Sequence, residues 1–232
     1  MHCFRFCSLV ALFSLISSVA AILPRSNEGT IVNLRVEGLD KTTFEGPIFT
    51  RGHNVTTASG GDHHCDGTNN GENPKPGPTC TSALDDASRR HGFTFDGTFF
   101  AEFDDFFITR IGPDTQTSTQ FWGILLNFQF TPVGGCQQQV KFEDQVLFAF
   151  DAFNKQHFLK LTGPKVAKAG HPVTLTVTDG STGTAISGAT VDGHTSDANG
   201  KVTFTIAKPG VHGFKAEKSD SIRSNKVTII VD

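Results

Sequence analysis

Leu161-Thr162-Gly163-Pro164 opens the stretch on which the reading of the fold turns. Before it, Phe and Asp cluster together, as in Phe103-Asp104-Asp105-Phe106-Phe107. After it, Pro172-Val173-Thr174-Leu175-Thr176-Val177-Thr178 alternates apolar with polar residues and runs into Asp179-Gly180. Strict alternation ended by a turn dipeptide predicts a half-buried strand, so a boundary is expected near residue 161.

Downstream of the boundary the same grammar repeats. Gly188-Ala189-Thr190-Val191 precedes the tight-turn signal Asp197-Ala198-Asn199-Gly200, and further strands are expected at Lys201–Ile206, Val211–Ala216 and Val227–Val231. Short strands at this spacing, with no helical window, predict an all-β sandwich over residues 160–232.

Upstream the pattern is mixed. Thr30–Glu37 sets Ile31, Leu34 and Val36 against Asn33, Arg35 and Glu37, which predicts a strand. Phe44–Phe49 predicts another, with Pro47 placing it at an edge or a bend. From Thr57 to Thr79 almost nothing is apolar, and a long loop is expected there, either functional or pinned. One helix follows: Ser82 is positioned to cap it, Asp85 stands at the third position, Arg89-Arg90-His91 suit its C-terminal dipole and Gly92 stops it. Strands are then expected at Phe93–Phe95, turning at Asp96-Gly97, and at Phe106–Ile111, Phe121–Asn127 and Gln145–Phe150. Several strands around one helix predict a small α+β domain over residues 30–158, a mixed sheet with one main helix.

Composition narrows the function classes. Charge is −3, or −4 without Arg5, and no Lys/Arg run appears, which argues against nucleic acid as a partner. With 22 Phe beside one Trp and no Tyr, most of the phenyl rings read as core, since they bring area without a hydroxyl to satisfy. Residues 1–20 read as a signal peptide: Arg5, an apolar run from Leu9 to Val19, and a small-residue cleavage pattern at Ser18-Val19-Ala20 or Val19-Ala20-Ala21. That run is too short to span a membrane, and no transmembrane segment is expected elsewhere. Secretion follows as an expectation, and with it Asn54-Val55-Thr56 becomes an N-glycosylation sequon. Cys3 and Cys7 leave with the leader, and Cys65, Cys80 and Cys136 then form one disulfide and one odd thiol in any of three pairings.

Few residues carry recognisable chemistry. Asp62, His63, His64, Asp66, Asn69, Asp104 and Asp105 form the richest constellation and are candidates for zinc or calcium. Adjacent His63 and His64 point to opposite sides of a strand, however, and Asp104 and Asp105 do the same, which disfavours a chelate or an acid–base dyad. Polar side chains bonding their own loop backbone are the plainer reading. Trp122 is a candidate binding platform, although its neighbours Ile124, Leu125 and Leu126 favour core. No nucleophile elbow, phosphate loop or dinucleotide fingerprint is present, and no cofactor is expected.

Two resemblances rest on particular segments. Val36-Glu37-Gly38, Thr43-Phe44-Glu45-Gly46-Pro47, His63-His64-Cys65-Asp66-Gly67-Thr68-Asn69, Phe103–Ile108, Phe121–Asn127 and Gly134-Gly135-Cys136-Gln137 make residues 31–155 similar to the transcobalamin-like C-terminal domain family. The similarity is greatest to a branch found in secreted bacterial and fungal proteins, some labelled surface cell-adhesion proteins. Thr178–Gly183, Gly188–Val191 and Ser196–Gly200 make residues 160–232 resemble the immunoglobulin-like modules of bacterial surface proteins and carboxypeptidase regulatory-like domains, with Phe214 where such modules often carry Tyr. The first resemblance places Cys65 and Cys136 inside family-like motifs and so implies that they pair; Cys65–Cys80 is the competing pairing. Together these readings predict a secreted or cell-surface binding or adhesion protein with an extracellular ligand, a glycan or cell wall among the possibilities. The alternative is a secreted enzyme or accessory protein with a metal or acid–base site around residues 62–69 and 104–105.

Overall fold

The computed structural model describes residues 28–232, so the leader assigned to residues 1–20 lies outside the described residues. The chain opens with β1 (Thr30–Glu37), β2 (Thr42–Thr50), β3 (His53–Thr57) and β4 (Gly61–Cys65), then α1 (Cys80–His91). It continues through β5 (Phe95–Phe100), β6 (Asp105–Ile111), β7 (Asp114–Thr115), β8 (Trp122–Leu126), β9 (Gln129–Phe130) and β10 (Gln145–Phe150). Past the boundary come β11 (His157–Thr162), β12 (Val166–Ala167), β13 (Pro172–Asp179), β14 (Thr190–Val191) and β15 (His194–Thr195). The last strands are β16 (Lys201–Thr205), β17 (Gly210–Phe214), β18 (Ala216–Glu217), β19 (Ser221–Ile222) and β20 (Val227–Val231).

This architecture corrects the expected fold class. Strands make up 47% of the described residues and helical turns 9%, in several small sheets, so the protein is mainly β rather than an α+β domain joined to a separate immunoglobulin-like sandwich. The largest sheet runs β2-β1-β10-β8-β9, with β1 parallel to β10 and its other pairings antiparallel. Separate small sheets are formed by β3-β4 and by β5-β6-β7. Beyond residue 156 the strands divide among β16-β13-β11-β19, β12-β20-β17 and β15-β14-β18, which share one core around Leu159, Leu175, Val202 and Ile229.

The large sheet is covered on both faces. On one, Val32, Leu34 and Val36 of β1 and Val146, Phe148 and Phe150 of β10 pack with Ala83, Leu84 and Ala87 of α1. On the other, Leu147 and Ala149 of β10 join Leu125, Phe128 and Ala152 and meet Phe158 of β11 and Ile222 of β19. The unbroken apolar run Val146–Phe150 is the sequence form of a strand buried on both sides. The second half of the chain is therefore docked on the first rather than strung behind it. Polar ties reinforce the join: Ser181 Oγ donates to the Phe128 carbonyl (2.7 Å) and Gln129 Nε2 to that of Ser181 (3.0 Å).

Local differences from expectation have simple causes. The cap of α1 is Thr79, whose hydroxyl accepts from the Ser82 N–H (3.1 Å) while Ser82 Oγ accepts from the Thr79 N–H (2.8 Å). Ser82 is thus the reciprocal partner in the capping box, three residues inside the helix. Gly92 ends α1 at φ 73°, as expected. The stretch from Thr57 to Thr79 is not one long loop, since it contains β4 and a single 3-10 turn at Asn69–Gly71. β5 runs straight through Asp96-Gly97 with a bulge instead of turning there. Disulfide Cys65–Cys136 joins the end of β4 to the loop before β10, and Cys80 is a buried free thiol whose proton burial holds more tightly than usual.

Candidate functional site

The β5–β6 hairpin carries an aromatic face. Phe100 and Phe107 project from the same side of the two strands, and the turn between them presents Phe103. These rings are 43%, 42% and 58% exposed, exceptions to the expectation that most of the phenylalanines are core. They line a groove of about 580 Å³ whose other walls include Phe106, Pro132, Val133, Gly134, Asp105, Gln137 and Asn70. The rings of Phe100 and Phe107 stand at 77° with centroids 6.5 Å apart, making a corner of two aromatic walls.

Asp105 fixes the wall opposite the hairpin. Its carboxylate accepts the backbone N–H groups of Phe106 (2.7 Å), Cys136 (3.0 Å) and Gln137 (3.2 Å). Gly134 lies against this carboxylate; a Cβ there would sit 2.2 Å from Oδ2, so the position is closed to side chains. Burial outweighs these three donors and pushes the Asp105 carboxyl up to about 6. Gln137 Nε2 donates to the Phe103 carbonyl (2.7 Å), tying the loop back to the hairpin turn. The same loop is held from behind by the disulfide and by N–H donation from Thr81 to Gly135 and from Cys80 to Gln138. Its geometry is set before any ligand arrives.

Several residues singled out from the sequence gather beside Asn70, which lines this groove. His64 Nε2 lies 3.0 Å from Asp104 Oδ2, and its Nδ1 lies 3.7 Å from Asp66 Oδ1. Asp104, at φ 49°, also accepts the Asn70 N–H (2.8 Å). Buried Asn69 stitches the two segments together, donating from Nδ2 to the carbonyls of His64 and Asp104 (both 2.8 Å). His63 faces the other way, stacked on Phe99 at 3.5 Å between centroids. Asp105, the first residue of β6, points into the loop clamp, whereas Asp104 sits in the turn before it with a left-handed backbone and faces His64. Among the described residues no group of three His, Cys, Asp or Glu side chains is arranged to hold a metal ion.

Trp122 belongs to the core rather than to a binding platform. It is 4% exposed, packs against Phe150 and donates its indole N–H to the Asp114 carbonyl (3.2 Å). Asn54 is exposed on β3, and Asp62 accepts from both of its sequon side chains, Asn54 Nδ2 (2.9 Å) and Thr56 Oγ1 (2.7 Å). Sequence reasoning missed Phe100, Phe103, Phe107 and Gln137. The available signal was the spacing Phe99-Phe100, Phe103, Phe106-Phe107, which in a hairpin puts one ring of each pair on the outer face.

No protein-family model matches this chain, and no curated protein matches it. Among the described residues no helix is long and apolar enough to cross a membrane.

Proposed function

We propose that this chain is a secreted binding protein that takes its ligand in the phenylalanine-lined groove of the β5–β6 hairpin. The observation that carries this reading is the groove itself: three solvent-facing phenyl rings set against a loop locked by a disulfide and a buried carboxylate. Exposed aromatic rings grouped in a concave, pre-ordered site mark recognition surfaces far more than solvated scaffold. The exposed sequon at Asn54 and the disulfide favour an extracellular setting. The likeness of the sequence to surface adhesion proteins points to a role at a cell surface.

Asp105 is a structural acceptor in this reading. Its oxygens are engaged by three backbone donors, which leaves little for acid–base work on a ligand. Glycan-array and cell-wall pull-down assays with the glycosylated chain test the proposal. Saturable retention that is lost in Phe103→Ala and Phe107→Ala supports it. Retention that neither substitution changes removes the groove from the binding surface.

A further inference from the structure

We infer that the groove recognises an organic cation, an alkylammonium group carried on an apolar body, held by the aromatic corner and the acidic hairpin turn. This deepens the binding reading above and rests on it. Phe100 and Phe107 form two walls at 77°, and Phe103, in the turn between their strands, lines the same groove. The face of a phenyl ring is electron-rich, so a cation seated in such a corner is attracted to more than one ring at once. The charge around it points the same way. Among the described residues no Lys, Arg or His lines the groove, whereas Asp105 does, and Glu102 and Asp104 stand in the turn that carries Phe103. Asp104 is already engaged by His64 and the Asn70 N–H, and Asp105 by its three backbone donors, so Glu102, exposed in that turn, is the one of the three carboxylates that no described residue engages.

A neutral apolar guest fits the rings equally well and is the rival. It gains nothing from the carboxylates and forgoes the cation–ring attraction. The two are separated with choline and its uncharged carbon isostere, 3,3-dimethylbutan-1-ol, titrated into the ¹⁵N-labelled, disulfide-intact chain at low ionic strength. The expected result is that choline shifts the amide signals of Phe100, Phe103, Phe107 and Gln137 and binds about tenfold more tightly than the alcohol. Phe107→Ala removes this binding and Glu102→Gln weakens it several-fold, with both variants retaining the wild-type spectrum elsewhere. Equal or tighter binding of the alcohol overturns the cation assignment and leaves the groove as a binding site. If neither compound binds, the cation assignment is overturned; wall retention insensitive to Phe107→Ala would then remove the groove reading as well.

Discussion

Glu37 and Arg223 are 186 residues apart in sequence, yet Arg223 Nε lies 3.0 Å from Glu37 Oε2. Glu37 is only 1% exposed, and Lys215 Nζ also binds its carboxylate. The guanidinium of Arg223 reaches on to the carbonyls of Gly38 (2.6 Å) and Leu39 (3.0 Å), while Arg35 donates to the Arg223 carbonyl. One buried anion thus gathers cations from the far end of the chain onto β1. Removing it leaves Lys215 and Arg223 short of a partner in a dry setting, and this loss outweighs what the pair gains over an apolar substitute. Glu37→Gln is expected to destabilise the protein by about 3 kcal/mol, measured as a shift of the urea midpoint at unchanged slope. A change below about 0.5 kcal/mol would show that Glu45, which also binds Lys215, carries the join instead.

The disulfide closes a span of 71 residues. By loop-closure entropy it stabilises the fold by about 4 kcal/mol, and its removal also frees the groove's back wall. Cys65→Ser with Cys136→Ser is expected to lower the unfolding midpoint accordingly and to speed hydrogen exchange at Gln137 and Gln138. Unchanged exchange there would show that Asp105 alone holds the loop.

Asp105 gives stability a pH signature. Its carboxyl titrates near 6 in the fold against an ordinary value of 3.8, so the folded state takes up the proton first. The stabilisation from this group is complete below 3.8 and is lost as pH rises through about 6. Relative to Asp105→Asn, which cannot titrate, the wild type should gain stability as pH falls from 6 to 4. Asp105→Ala strands the three N–H donors and is expected to cost about 2–4 kcal/mol at neutral pH. Parallel pH curves for wild type and Asp105→Asn would sink this account.

His53 adds a second titration with the same sign. Its Nε2 lies 2.8 Å from Asp85 Oδ2 on α1, and this bond holds the imidazolium proton above the usual histidine value of 6.5 against the opposing effect of burial. The contribution is present below 6.5 and is lost as pH rises through the elevated value. Titration of the His53 ring protons by NMR should show the raised midpoint, and Asp85→Asn should return it to or below the ordinary one.

Much of the strand pattern was legible because alternation reports a one-sided burial directly. β10 and β20 fall on the apolar runs, and the parity of β4 already separates His63 from His64, whereas Asp104 and Asp105 part because one is in the turn and the other opens β6. The disulfide followed from the likeness of motifs, not from spacing. What stayed hidden depended on long-range contact. Thr79 became the helix cap because a capping box needs the extended backbone on its outer side, which a spacing rule alone does not reveal. Composition carries no face and so does not say which phenylalanines are the exceptions to a mostly buried set; only the pairing of Thr98 with Phe107 shows which rings turn outward. Nothing in Glu37 as a letter announces partners near residue 220.

The third apolar cluster bears on how the chain can be cut. A polypeptide ending near residue 156 would retain Leu125, Phe128, Leu147 and Ala149 on one side of its main sheet while losing Phe158 and Ile222 that cover them. Such a fragment would be born with a naked, adhesive underside, and its natural fate in solution is self-association. Half of this molecule is therefore no smaller working version of it: the boundary so plain at Leu161 marks a change of texture along the chain, not a seam along which the protein comes apart.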